Sequence, residues 1–309
     1  MHDLILHHFA TSPFSEKVRL VFGMKHLAWR SVSVPMLMPK PDVVALTGGY
    51  RRTPFLQIGA DMYCDTALMC RVIDAMHPEP PLYPAATEGL ADIVAQWADA
   101  ALFWSAIPFT MQPAGIGHVV AQATPEKLKA LGADRTAMNP NFRRPTLADG
   151  AAHVQTQFAR LEAMLADGRP FLLGALPCIA DFSVAQSAWF MHLAPPVVAA
   201  LKPFERLAVW YERVLAFGHG TPSECSAAEA IEVAAASAPA AAAFTAEPGL
   251  AEGDDVTVTP ADYAHDPVVG KLVGLAVDEV VVARTDERAG RVHVHFPRLG
   301  FQLKKSQPA

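Results

Sequence analysis

The chain has 309 residues, a formal net charge of −6 and 51 % hydrophobic side chains. At roughly 100–200 residues per domain this length accommodates two or three domains, and the apolar share excludes wholesale disorder. The mildly acidic balance lacks the basic footprint of a nucleic-acid binder, and no run of about 18 uncharged apolar residues is present to cross a membrane.

The start, Met1-His2-Asp3, carries neither the basic flank nor the cleavage site of a signal peptide. Four cysteines (Cys64, Cys70, Cys178, Cys225) are thinly spread with no Cys-x-x-Cys. That usage fits a reducing cytoplasm and argues against a disulfide framework or a zinc site. No metal is assigned.

Residues 1–82 alternate strand and helix. Leu4–His8 is a short apolar run. Ser12 then offers an N-cap and Pro13 a first helical residue, before a helical stripe of Val18, Val21 and Phe22. Trp29–Val34 reads as a strand and 35–41 as a proline-rich loop. Phe55–Ile58 and Met62–Cys64 flank Gly59-Ala60-Asp61 as a hairpin, and Asp65 caps a helix striped by Leu68, Val72 and Met76. The order β-α-β-α-β-β-α defines a small α/β domain.

Residues 87–220 read as all-helical. Leu147, Ala151, Val154, Phe158, Leu161 and Leu165 form one apolar face, opened by Thr146 and closed by Gly168. Trp97–Phe109 is expected to lie in a long helix ended or kinked at Pro108. Gln112–Pro145 is weakly patterned and reads as an irregular connection. Helices are expected from about Ala180 to Leu193 and then to about Phe217.

Residues 221–248 form an alanine-rich helix (about Ser226–Ala236) and a linker. In 249–305 the period becomes two: Val256/Val258, Val280/Val282, Val292/Val294/Phe296 and Phe301/Leu303. Turns are expected at Pro260, Pro267–Gly270, Glu287–Gly290 and Leu299–Gly300. Four or five short strands predict a small antiparallel barrel or sandwich, too small to be stable without support from the rest of the chain. His293 and His295 share one strand face. Their default environment is solvent, and a metal would need a third ligand such as His265 or Asp266.

Four segments of the α/β unit, followed by a helical unit, resemble the cytosolic glutathione transferase superfamily over about residues 1–217. Ser12-Pro13-Phe14-Ser15 resembles the strand-to-helix turn that holds the thiol-activating serine of zeta- and theta-like members. A hydroxyl donating to sulfur at a helix N-terminus favours the thiolate, while Ser12 also suits a plain cap. Thr53-Pro54-Phe55-Leu56 resembles the family's Val-Pro-x-Leu element, in which a cis proline turns the preceding backbone outward to pair with the cysteinyl backbone of glutathione.

Asp65-Thr66 resembles the Glu-Ser pair that holds the γ-glutamyl end, with Asp one methylene shorter. Lys40 resembles the lysine that takes the glycyl carboxylate in omega-like members. Leu172-Leu173-Gly174 with Cys178-Ile179-Ala180-Asp181-Phe182 resembles the family's capping-box segment, a folding element.

The resemblance implies a thioredoxin-like N-terminal domain and a helical C-terminal domain. It implies a glutathione transferase that acts by conjugation or by glutathione-dependent isomerisation, with glutathione as co-substrate, Ser12 catalytic and Lys40, Thr53, Pro54, Asp65 and Thr66 binding, an electrophilic small molecule as second substrate, and a homodimer. It leaves the terminal β unit unaccounted for; that unit could cover the pocket or the dimer face. Phe103, Trp104, Phe109 and Met111 offer an apolar wall for the electrophile or plain core. The reading from a different class is a non-catalytic glutathione-binding or protein-interaction member of the same fold.

Overall fold

A computed structural model describes residues 3–121, 123–143 and 145–306. The first unit runs β1 (Leu4–His8), α1 (Pro13–Met24), β2 (Ala28–Ser33), α2 (Pro41–Thr47), β3 (Phe55–Ile58), β4 (Asp61–Cys64) and α3 (Thr66–Met76). β1 pairs parallel with β2 and antiparallel with β3, and β3 pairs antiparallel with β4. This is the thioredoxin-like arrangement. α1 starts where the sequence places it: Ser12 Oγ accepts from Ser15 N at 3.2 Å, with Pro13 as the first helical residue.

The helical unit comprises α4 (Glu88–Trp97), a π-helical turn (Ala98–Leu102), α5 (Phe103–Thr110), α6 (Pro113–Val119), α7 (Pro125–Met138), α8 (Leu147–Met164), α9 (Ile179–His192), α10 (Pro195–Val198) and α11 (Glu205–Leu215). The stretch read as an irregular connection therefore carries two helices. α7 has no fully buried residue, so it lacks a clear apolar stripe. Its start is nonetheless signalled by a capping threonine, Thr124, followed by Pro125. On α8 the predicted face packs through Val154, Phe158 and Leu161, whereas Leu147 in the first turn is 60 % exposed.

The chain then returns to the first unit. Gly23 permits this, because a Cβ there would lie 2.0 Å from the Gly218 carbonyl oxygen. β5 (Thr221–Glu224) pairs parallel with β2, and α12 (Ala227–Ala235) follows. The final strands are β6 (Asp255–Pro260), β7 (Val268–Leu275), β8 (Glu279–Asp286), β9 (Gly290–Pro297) and β10 (Phe301–Lys305).

These last five strands are antiparallel to one another, and β9 pairs parallel with β4. Among the described residues one sheet thus runs β10-β6-β7-β8-β9-β4-β3-β1-β2-β5. The β unit is an extension of the first unit's sheet. The turn expected at Pro267–Gly270 is instead the start of β7. Gly270 marks a close approach, where a Cβ would meet the Ala283 carbonyl at 2.4 Å.

The sheet's two faces have separate cores. Leu4, Leu6 and Leu56 pack with Val21, Ile73 and the helical unit, whereas Ile5, Phe55 and Met62 pack with Leu46, Ile231, Val282, Val294 and Phe296. Each such side chain, once buried, contributes roughly 1.5–3 kcal/mol, so the extension gains its stability from the surface it shares with the first unit. Strand alternation sends His293 and His295 to the face opposite Val294 and Phe296. They are 6 % and 5 % exposed, which replaces the expected solvent face with a buried one.

Candidate active site

Three strand ends converge at one margin of the sheet. His7 is opposite Phe55, and Phe55 is opposite Cys64. The turn after β1, the entry to β3 and the exit from β4 are therefore neighbours. These ends carry Ser12, Thr53-Pro54 and Asp65-Thr66. The Thr53–Pro54 peptide is cis.

Ser12 is buried, and its Oγ, besides accepting from Ser15 N, is 3.5 Å from the Thr53 carbonyl oxygen as a weak donor. The hydroxyl thus caps α1 and faces the threonine backbone at once. Lys40 immediately precedes α2 and is buried. Its Nζ donates to Arg51 O at 3.1 Å and to Thr53 Oγ1 at 3.3 Å. Burial, reinforced by the cations Arg135 and Arg51, pulls its ammonium down to about 8. A carboxylate arriving there would relieve that penalty.

Asp65 caps α3, accepting from Ala67 N at 2.9 Å with φ of 75°. With ψ of 133° this backbone lies outside the left-handed helical well, a strained conformation for a residue with a side chain. Thr66 Oγ1 accepts from Lys17 Nζ at 3.2 Å, and Lys17 is paired with Asp99 at 2.6 Å. Burial opposes the Lys17 charge, but Asp99 outweighs it and holds the ammonium above the ordinary lysine range. Because Lys17 fills an acceptor position of the Thr66 hydroxyl, the hydroxyl proton is free to point away towards a ligand. The sequence reading missed Lys17. Asp99 sits in the π-helical turn, so the helical unit fixes this corner of the first unit.

Beside Ser12, Lys40 and Thr53 opens a cavity of about 470 Å³. Phe14, Phe103, Trp104 and Met111 line it, while Phe109 turns away towards Gly150 of α8. α7, which the sequence did not reveal, supplies Leu128 and Leu131. The extension supplies Tyr263, packed edge-on to Trp104 with ring centroids 5.4 Å apart. Asp65 and Thr66 stand beside the cavity, outside its wall.

Two arginines that also line the cavity anchor the threonine loop. Arg51 pairs with Asp134 of α7, and Arg52 with Asp262 and the Tyr263 carbonyl of the extension.

His8 does not reach Ser12. It bonds Ser31 Oγ at 2.9 Å beside a separate cavity, where burial, with Arg19 adding to it, pulls it down to about 4. His7 bonds Gln57 and stacks on Phe55. The four cysteines are free and buried. At Cys178 burial, with Asp181 adding to it, pushes the thiol up to about 12, so it holds almost no thiolate at neutral pH. The Cys178 N–H donates to Asp181, which also accepts from Leu172 N and Trp210 Nε1.

Residues 6–81 match the family model "Glutathione S-transferase, N-terminal domain", and residues 143–213 match "Glutathione S-transferase, C-terminal domain". A crystal structure of a GST-like protein from Pseudomonas syringae is 41 % identical, covering 99 % of this chain and 100 % of that one, with a TM-score of 0.82. The chain belongs to the glutathione S-transferase family.

Because that likeness runs the whole length, it includes the extension. Two further solved structures share the fold over part of the chain. FzlA from C. crescentus is 22 % identical over 69 % of this chain and 87 % of its own, with a TM-score of 0.51. The β-etherase LigF from Sphingobium sp. is 18 % identical over 69 % and 95 %, with a TM-score of 0.52. No curated protein matches the chain.

Proposed function

We propose that the chain is a glutathione-dependent transferase, with Ser12 as its thiol-activating residue and the aromatic cavity as its electrophile site. The observation that carries this reading is the position of the Ser12 hydroxyl. It lies at the N-terminus of α1, opposite the Thr53 carbonyl and on the wall of the apolar cavity.

Glutathione lies extended along Thr53–Pro54, its cysteinyl backbone paired with the Thr53 backbone. Lys40 takes the glycyl carboxylate. Asp65 takes the α-ammonium, and the Thr66 hydroxyl with the free N–H groups of α3 takes the α-carboxylate. The Ser12 proton then turns from Thr53 O to the sulfur. The hydrogen bond and the helix dipole favour loss of the thiol proton to solvent.

The thiolate attacks an electrophilic carbon held among Phe14, Phe103, Trp104 and Tyr263. A C–S bond forms as the leaving group departs with its bonding pair. At an activated double bond the sulfur adds instead, and water protonates the neighbouring carbon. Holding both reactants in one cavity removes much of the entropic barrier. A homodimer is carried over from the family, and light scattering on the purified chain tests it.

The decisive experiment is an ultraviolet difference spectrum of glutathione added to the protein between about pH 5 and 9, bracketing the free thiol's pKa of about 8.5. A thiolate band titrating at least one unit below the free thiol is expected. Calorimetric binding without the band would make the protein a non-catalytic glutathione binder. No binding at all would overturn the reading.

A further inference from the structure

The seam where β9 joins β4 holds a cluster that the transferase chemistry does not use. Asp61 on β4 is opposite His293 on β9, and Tyr63 is opposite His295. One ligating atom from each of Asp61, His293 and His295 falls within 4.8 Å of the others, and all three residues are buried. His295 Nε2 is 2.9 Å from Asp61 Oδ1, and His293 Nδ1 is 3.8 Å from the same oxygen. Neither ring nitrogen of His293 has a hydrogen-bond partner among the described residues, although both are buried. A buried imidazole without a partner is costly, so this ring calls for a ligand.

The surroundings are those of a metal site. His295 Nδ1 is 2.9 Å from Glu279 Oε1, which leaves Nε2 to face Asp61. A carboxylate behind a histidine is the usual way to fix the tautomer and ring plane of a metal ligand. Asp61 is oriented too: its Oδ2 accepts from Ala240 N at 2.9 Å, in the segment that follows α12. Tyr63 lies against His295, ring centroids 4.3 Å apart, and shields it.

Metal–ligand bonds of about 2.0–2.1 Å in a tetrahedron place ligand atoms about 3.3 Å apart. The separations of 2.9 and 3.8 Å bracket that value. With neutral imidazoles, the two carboxylates leave a charge that one divalent cation balances.

The geometry points to a binding site for a divalent cation of the zinc class, with Asp61, His293 and His295 as ligands and Glu279 behind His295. Two imidazoles and one carboxylate suit such ions, and the fourth position is left for water. The ion would staple the terminal extension to the thioredoxin-like unit at the β4–β9 pair that joins them. Sequence spacing supplies the two histidines but points to His265 or Asp266 for the third ligand, whereas the fold supplies Asp61. His265 instead hydrogen-bonds the Pro260 carbonyl.

The test uses the untagged full chain, stripped with a chelator and titrated with Zn²⁺, with metal content measured after dialysis. One Zn²⁺ per chain is expected, together with a rise in melting temperature. Because its ring nitrogens have no hydrogen-bond partner among the described residues, His293→Ala should fold normally, as circular dichroism would show. It should lose at least about 100-fold in Zn²⁺ affinity and its melting temperature should no longer respond to zinc. Glu279→Gln should lose about 10- to 100-fold, and His265→Ala should bind as wild type does. Failure of the wild-type chain to retain zinc, or wild-type affinity in a folded His293→Ala, would overturn the proposal. A loss in His265→Ala equal to that in His293→Ala would also overturn it.

Discussion

The Arg52 guanidinium lies over the Tyr263 ring, 3.9 Å from its centroid. This contact joins the threonine loop of the first unit to the terminal extension, and Arg52 also bonds Asp262 and the Tyr263 carbonyl. Ala264 N donates to Met138 O at 2.7 Å, so the same short loop is tied to α7. The extension thereby lends a wall to the cavity, although the proposed glutathione-binding residues all lie before residue 82.

Removing that wall should affect the electrophile more than glutathione. A buried cation–π contact is worth about 0.5–2 kcal/mol, and the ring also closes the apolar surface. Tyr263→Ala is expected to raise KM for an apolar aryl electrophile by about 5- to 10-fold at saturating glutathione. The Kd for glutathione should stay within about twofold. Steady-state kinetics and calorimetry check both, and an unchanged KM would remove Tyr263 from the substrate site.

In the proposed function capping and thiol activation share one hydroxyl at Ser12, and glycine separates them. Glycine is a serviceable N-cap, costing only a few tenths of a kcal/mol relative to serine. Ser12→Gly should therefore unfold in urea almost as wild type does. The charge-assisted hydrogen bond to sulfur, worth about 1.5–3 kcal/mol, would be lost. The pKa of bound glutathione should then rise by about 1–2 units, read from the ultraviolet band. A stable variant with an unshifted band would show that Ser12 is only a cap.

The first unit was legible because its signals are local. Ser12-Pro13 marks a helix start, the cis-proline segment precedes β3, and Asp65 caps α3 within two residues of its partner. What was hidden rests on distant partners. Lys17 meets Asp99 82 positions away, Arg52 meets the Tyr263 carbonyl 211 positions away, and His295 meets Asp61 234 positions away. Strand alternation in the extension revealed its strands and which side chains share a face. It could not reveal that β9 pairs with β4, because a parallel register between distant strands leaves no local mark. α7 escaped for a different reason, since its apolar residues line a cavity and not a close-packed core.

If Lys40 takes the glycyl carboxylate as proposed, glutathione binding is pH-dependent in a defined direction. Its pKa of about 8 in the free protein means the ammonium is charged below pH 8 and neutral above it. A bound carboxylate favours the charged form, so affinity should fall as pH rises through 8. Between pH 7 and 9 the charged fraction drops about tenfold. S-methylglutathione removes the thiol's own titration from the measurement. Its affinity for wild type should fall about tenfold more over that range than its affinity for Lys40→Arg, since arginine stays charged throughout. Parallel pH profiles for the two proteins would take Lys40 out of the carboxylate site.

The buried Lys17–Asp99 pair should show the cost of removing one partner only. Lys17→Met strands a carboxylate that also serves Gln186 Nε2 at 2.6 Å. A lone buried charge of this kind costs about 3–5 kcal/mol. Lys17→Met/Asp99→Asn removes both charges and keeps an oxygen for Gln186, so it should recover at least about 2 kcal/mol of that loss in urea unfolding. The double variant still lacks the ammonium that turns the Thr66 hydroxyl outward. Glutathione affinity should therefore remain lowered by about 3- to 10-fold, the loss of roughly one neutral hydrogen bond. If stability and affinity both returned together, Lys17 would be a folding residue alone. If stability returned without affinity, the pair would be the device by which the helical unit orients the γ-glutamyl end of glutathione.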